Sequence, residues 1–290
     1  LSSRRFDALY LEKECLPWLP GFLELGLLPR NISLIIDIDD AIFHTYDAHR
    51  SSTVRALLGK KLDSLMARAD LVTAGNEYLA ERALRAGCCC VEIVPTVVDL
   101  DRYSVRTVPQ PRHDKVVVGW IGSPSTAKYL RSVSDVLEDL SRKHDIRCVA
   151  IGPRKDQLVD TPFESVAWTE ETEASELLSL DIGIMPLPDS QWERGKCGYK
   201  LIQYMACGLP VVASPVAVNK QIVTHGQNGF LANDEKEWLD ALEQLVLDPS
   251  MRIQMGRIGR AKVEREFSLQ VHGPRLARMI SDASRPVNSV

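Results

Sequence analysis

Lys196 and Lys200 stand on either side of Cys197, Gly198 and Tyr199, where a long polar loop gives way to a helical pattern. The first N–H groups of a helix have no partner inside it and carry partial positive charge, so such a junction can face an anion. Lys200 and Gln203 are three apart and share one helical face. Amides from Cys197–Tyr199, one ammonium ion and an amide side chain within reach of a ribose would together suit a nucleoside diphosphate. The same spacing suits a well-capped helix with solvated lysines. A second candidate is the run Val118–Thr126 (VGWIGSPST), a strand and then a turn at Gly122 and Ser123 that opens a helix. That arrangement brings backbone N–H groups close to a pyrophosphate, or simply turns the chain.

Other chemistry is thinner. Asp37-Ile38-Asp39-Asp40 groups carboxylates as a magnesium site would, and a strand end followed by a helix cap accounts for them without a metal. The six histidines, His44 and His49 among them, show no zinc spacing, and neither do the seven cysteines. Cys88-Cys89-Cys90 reads as small buried apolar residues leading into a strand. No metal is expected.

The elements that must hold these residues alternate short β-branched runs with longer helical patterns, which argues for parallel α/β organisation. In the first third, strands are read at 34–38, 71–73 and 91–94. A helix there carries Val54, Leu57, Leu58, Leu62, Leu65 and Met66 on one face, and Glu77–Arg85 forms another. Val105–Asp114 (VRTVPQPRHD) reads as an interdomain linker. Beyond it strands are read at Val116–Ile121, Arg147–Ile151, Ser165–Trp168, Ile182–Met185 and Val211–Ala213, with a helical stripe of Tyr129, Leu130, Val133, Val136, Leu137 and Leu140. Asp234 with Glu237 predicts a capping box, Asp248-Pro249 a helix start, and Pro274 a kink or break within Leu269–Ala283.

Two domains follow, residues 1–108 and 109–290. The second holds a full strand–helix ladder. The first supplies about three strands, too few for a covered doubly wound sheet, so its amino-terminal part is expected to be absent from this chain.

Composition narrows the class. Hydrophobic residues make up 45% and charged residues 26% of the 290, as in an ordinary globular protein. A formal charge of -4 gives no basic face for nucleic acid. No apolar run approaches the roughly 20 residues that span a bilayer, and Leu1–Tyr10 lacks the apolar core of a signal peptide. A reducing cytoplasm is the natural setting.

Met205-Ala206-Cys207-Gly208-Leu209-Pro210-Val211-Val212-Ala213-Ser214 resembles, almost letter for letter, the end of the donor-site segment in retaining, metal-independent glycosyltransferases of the GT-B fold (family four, glycosyl transferases group 1). The wording KCGYKLIQYMACG looks like that of a variant branch. Val94–Asp99, Gly226–Leu231 and the terminal helix agree in order with the family's exit from its first domain, its Gly-x-x-Gly-Phe-Leu turn and its cross-over segment.

The resemblance implies an α/β GT-B fold of two Rossmann-like domains, the first incomplete here. It further implies a nucleoside-diphosphate sugar as co-substrate, no cofactor or metal, and sugar transfer with retention of configuration. The family's two glutamates fall on Gly195 and Gln203, so Glu193 becomes the candidate at the donor sugar and Lys200 the candidate at the diphosphate. Ser123 stands where an arginine is usual, with Thr126 or Lys128 in place of a lysine. Gly122, Lys196, Cys197, Gly198, Tyr199 and Gln203 complete the implied donor set, and Trp168 neighbours the base. Asp39, Asp40 and His44 fall on the acceptor side. The implied acceptor is a sugar, a lipid-linked or a small molecule, in glycan, lipopolysaccharide or glycolipid synthesis, with peripheral contact at the inner face of a membrane. The departures from the family pattern keep two alternatives open: a nucleotide-sugar-binding scaffold and a GT-B epimerase.

Overall fold

A computed structural model describes residues 6–105 and 115–284. By internal packing these residues form two units. One comprises the chain up to Thr96 together with Ser190–Cys197 and the chain from His272 on; the other comprises Val97–Asp189 and Gly198–Val271. Beyond Val105, the expected linker lies outside the described residues.

The first unit is built on four parallel strands, β1 (Ala8–Glu12), β2 (Ser33–Ile38), β3 (Leu71–Ala74) and β4 (Val91–Ile93), in that spatial order. The sequence reading missed β1. It is an edge strand in which only Leu11 is fully buried, so its apolar pattern is short and broken by charge. The helix expected across Val54–Met66 is two helices, Ser52–Leu58 and Lys61–Arg68. The break at Gly59-Lys60 leaves Leu57 exposed while Leu58, Leu62, Leu65 and Met66 enter the core. Cys88 is buried as expected, but Cys89 and Cys90 are exposed, which corrects their reading as buried residues. Lys61 is buried with its ammonium against Glu14 (2.5 Å) and Glu24 (3.2 Å), and it also donates to the Leu16 carbonyl. Glu14 in turn accepts from the Tyr46 hydroxyl at 2.7 Å. This buried ionic knot ties the stretch after β1 to the Lys61–Arg68 helix.

The helix Leu269–Ala283 runs through Pro274 without a break. Arg275 on it donates to the Ile93 carbonyl and pairs with Glu92, both at 3.0 Å, within the first unit.

The second unit holds six parallel strands: β5 (Val116–Ile121), β6 (Ile146–Ile151), β7 (Phe163–Val166), β8 (Ile182–Met185), β9 (Val211–Ala213) and β10 (Gly229–Leu231). Their order is β10-β9-β8-β5-β6-β7, which reverses between β5 and β8. In doubly wound sheets, ligands bind outside the carboxyl ends of the strands at that switch point. Alternate residues of β5 feed opposite core layers, Val117 and Ile121 one, Val118 and Trp120 the other. A sheet covered on both faces explains why the strand reads as a continuous apolar run. β7 starts two residues earlier than read, which frees Trp168 from the sheet. The turn at Gly122 opens a 3-10 helix, Pro124–Val133, that passes into an α-helix, Ser134–Lys143. The capping box at Asp234 is half formed: Asp234 accepts from the Glu237 N–H, while the Glu237 carboxylate caps Asn233 instead.

Burial pushes the thiols of Cys148 and Cys207 in this core from an ordinary 9.0 up to about 12. The folded state thus holds these protons more tightly than the unfolded chain does. The stabilisation is complete below the ordinary value of 9.0 and is lost as pH rises toward about 12. Urea midpoints are expected to stay level up to about pH 8.5 and then fall through about pH 11. A midpoint that stays level across that whole range would contradict this picture.

Candidate functional site

The helix Tyr199–Ala206 begins at Gly198, whose φ of +70° is left-handed, and it ends ahead of Gly208 at φ +74°. Tyr204 fastens this helix to the switch point. Its ring lies against Gly183 of β8, where a Cβ would collide with it. Its hydroxyl donates to the Ile184 carbonyl (3.2 Å) and accepts from the Ile121 N–H at the end of β5 (2.9 Å). With Tyr204 fixed, Lys200 one turn earlier is delivered to the end of β5. A Cβ on Gly122 would come within 2.7 Å of Lys200 Cε and closer still to the Trp120 ring. The Lys200 ammonium stands 5.2 Å from the centre of that ring. The two stretches singled out in the sequence therefore meet in space.

A third turn joins them. Gly152, at the end of β6 with φ +108°, packs so closely on the Gly122 carbonyl that a Cβ would collide with it, and it lies 3.8 Å from Trp168 Cβ by the same measure. Ser123 hydrogen-bonds Ser125 (2.9 Å), and Thr126 donates back to the Ser123 carbonyl (2.9 Å), so both hydroxyls serve the turn. Lys128 is exposed, with its ammonium 5.2 Å from the Tyr129 ring centre.

Trp168 is half-exposed at 50% rather than core, and its indole N–H donates to Glu173 at 2.7 Å. The other Glu173 oxygen accepts from the Tyr103 hydroxyl, and the Gln203 side-chain NH2 donates to that same hydroxyl at 3.0 Å. Tyr199 completes the group, its hydroxyl 3.5 Å from that of Tyr103. Burial first, and then the bond to Glu173, raise the Tyr103 phenol far above its usual range. Arg260 donates to the Tyr103 and Ala206 carbonyls, pinning this segment to the end of the helix. Sequence reasoning missed Gly152, Glu173 and Tyr103. A Gly-Pro pair directly after a strand was a signal for the first. Glu173 reads as an ordinary first-turn acid, and Tyr103 borders the linker without any motif.

The remaining candidates belong to the first unit. Glu193 is buried in the short helix Gln191–Arg194 and accepts from Ser190. Lys196 pairs with Asp40 at 2.9 Å, and Asp39 with Lys13 at 2.7 Å, so both acids are matched to ammonium groups. Cys197 is buried, its thiol donates to the Asp39 carbonyl at 3.0 Å, and burial raises it to about 12. His44 engages both ring nitrogens, with Asp47 and Tyr78, each at 2.7 Å. The chain thus passes from the first unit to the second at the Cys197–Gly198 bond, leaving Glu193, Lys196 and Cys197 in the one and Tyr199, Lys200 and Gln203 in the other.

Gly195 has a steric reason. A Cβ there would collide with the Ala41 side chain and lie 2.7 Å from its nitrogen. Restoring a glutamate by Gly195→Glu is therefore expected to destabilise the protein by about 2 kcal/mol or more rather than raise activity. Thermal unfolding beside a turnover assay checks this, and a more active variant of unchanged stability would contradict it.

Among the described residues no group of three or more His, Cys, Asp or Glu side chains is placed to hold a metal ion. No described helix is long and apolar enough to cross a membrane.

Residues 115–248 match the family model described as Glycosyl transferases group 1. The chain is 26% identical over 311 residues to a D-inositol 3-phosphate glycosyltransferase of Corynebacterium jeikeium, a match that covers 91% of this chain and 70% of that relative. Two other curated relatives are matched over only 20% and 56% of their own lengths. Among solved structures, sucrose-phosphate synthase from Thermosynechococcus elongatus superposes with a TM-score of 0.73 at 16% identity, covering 97% of this chain and 75% of that one. Anabaena Alr3699/HepE in complex with UDP-glucose gives 0.71 at 17% identity, covering 87% and 72%. The Lys200 site therefore lies within the stretch that matches the Glycosyl transferases group 1 model, in a chain whose two parallel sheets have the Rossmann-like form of the GT-B fold.

Proposed function

We propose that the chain moves a sugar from a nucleoside-diphosphate sugar to an acceptor hydroxyl, with retention of the anomeric configuration and without a metal ion. The observation that carries this reading is the meeting of Lys200 with the Gly122 turn, next to Gly152, at the switch point of the six-stranded sheet. Cleaving the sugar–phosphate bond builds negative charge on the leaving diphosphate. One ammonium ion, and amides at the start of the Tyr199–Ala206 helix, would stabilise that charge without reorganising. Close glycine turns let the backbone approach the phosphates where a side chain would block them.

In this reading the second unit takes the donor. Trp168, beside Gly152, lies at the nucleoside end, and Lys200 at the diphosphate. The first unit, with Asp39 and Asp40 after β2, takes the acceptor. Pairing those acids with Lys13 and Lys196 favours hydroxyl recognition over metal binding. The inositol-phosphate glycosyltransferase relative and the solved neighbour holding UDP-glucose make a UDP-sugar the first donor to test and a polyol or sugar the first acceptor.

Nuclear magnetic resonance of the product, formed in excess EDTA from an α-linked donor, tests both halves of the claim. An α-linked product formed at full rate is expected. A β-linked product, or activity abolished by the chelator, would overturn it.

A further inference from the structure

A glutamate is buried at the first position of the Glu173–Leu178 helix, and the proposed chemistry makes no use of it. Burying a carboxylate is unfavourable unless hydrogen-bond donors surround it. Its partners are the Trp168 indole N–H at 2.7 Å and the Tyr103 hydroxyl at 2.5 Å. What this carboxylate contributes is direction. A carboxylate only accepts, so the Tyr103 proton must point toward Glu173. The Tyr103 oxygen is then left to accept, and the Gln203 amide meets it with its NH2 at 3.0 Å. An amide turned that way offers its oxygen on the side away from Tyr103.

We propose that Glu173 is a positioning residue for the nucleoside end of the donor. Through Tyr103 it locks the Gln203 amide with its oxygen presented as an acceptor for a ribose hydroxyl. Through the indole N–H it holds the Trp168 ring beside the Gly152 turn. This rests on the donor-site reading, and it adds to that reading two residues, Glu173 and Tyr103, that touch no substrate themselves.

The hydrogen-bond chain has a polarity, so exchanging its two ends tests it. Glu173→Gln brings in an NH2 of its own and removes the acceptor that fixes the Tyr103 proton. Gln203→Glu asks one hydroxyl proton to serve two carboxylates. The double variant Glu173→Gln/Gln203→Glu restores a coherent chain in reverse. Tyr103 donates to the carboxylate on the Tyr199–Ala206 helix, while the amide on the Glu173–Leu178 helix accepts from Trp168 and donates to Tyr103.

UDP, GDP and ADP are titrated calorimetrically into the four proteins, and donor KM and kcat are measured in parallel. Each single variant is expected to bind the preferred nucleotide about tenfold more weakly, since a hydrogen bond to a charged group is lost. The double variant is expected to recover to within about threefold of the parent, and the effect is expected in KM rather than kcat. Trp168→Phe, at a half-exposed position, removes the indole donor together with part of the ring face, and is expected to raise KM about threefold or more with kcat kept. If either single variant fails to fold, Trp168→Phe decides, and an unchanged KM there overturns the proposal. Single variants that bind like the parent, or a double variant that does not recover, also overturn it while leaving the donor site standing. A parent protein that binds none of the three nucleotides overturns the donor reading itself.

Discussion

Lys200→Ala is expected to lower turnover by about 100-fold, the usual effect of removing one preorganised group that stabilises charge developing in the transition state. The reason lies in how firmly the side chain is delivered. Its helix is fixed to β8 and β5 by the Tyr204 hydroxyl and ring, and its stem lies against Trp120 and the Gly122 turn. The ammonium is thus held beside Trp120 and the Gly122 turn, the place proposed for the diphosphate. Stability should change little. An ammonium over an aromatic ring, as Lys200 stands over Trp120, contributes about 0.5–1 kcal/mol at a partly exposed site. Steady-state kinetics with thermal unfolding separates the two effects. Turnover equal to that of the parent would remove Lys200 from the chemistry.

The largest effect on folding is expected from Lys61→Ala. Lys61 lies fully inside the first unit between Glu14 and Glu24, and its own carbonyl partner is Leu16. Removing the cation leaves two buried carboxylates without their counter-charge, and breaking a buried pair in this way costs about 3–5 kcal/mol. For a chain of this size that corresponds to a fall in Tm of roughly 10 °C. Replacing all three groups at once, as Lys61→Met/Glu14→Gln/Glu24→Gln, removes the stranded charge and should recover at least about half of the loss. A Tm unchanged in Lys61→Ala would show that the knot is not holding the stretch after β1. Nucleotide affinity of the folded fraction should stay as in the parent, because Gly122, Lys200 and Gln203, on which the proposed donor site rests, stand in the other unit.

Much of the second unit was legible from residues alone. Its inner strands β5, β6, β8 and β9 are almost wholly buried, so each is a largely apolar run bounded by polar turns, and the helical stripe from Tyr129 to Leu140 is wholly internal. Edge strands lack that signal. Ala8–Glu12 buries one residue of five, and the reading passed over it. The split at Gly59-Lys60 was missed because apolar spacing continues across it, and spacing cannot register a change of axis.

At the candidate site, Gly122, Lys200, Trp168 and Gln203 could be singled out in the sequence because motif and position coincide. Glu173 and Tyr103 were not, since each acts only through a partner far along the chain, Tyr103 lying 70 residues from Glu173 and 100 from Gln203. Gly195 shows the converse. In sequence the missing glutamate only shifts the donor-sugar candidate to Glu193, whereas the structure shows a position with no room for any side chain.

The central claim is that the switch point of the six-stranded sheet holds a nucleoside diphosphate. Calorimetric titration of the chain with UDP, GDP and ADP, repeated on Lys200→Ala, tests it most directly. Micromolar binding of one nucleotide by the parent, weakened about tenfold or more in the variant, is the predicted result. Absence of binding by a folded parent protein, or binding that Lys200→Ala leaves untouched, would contradict it.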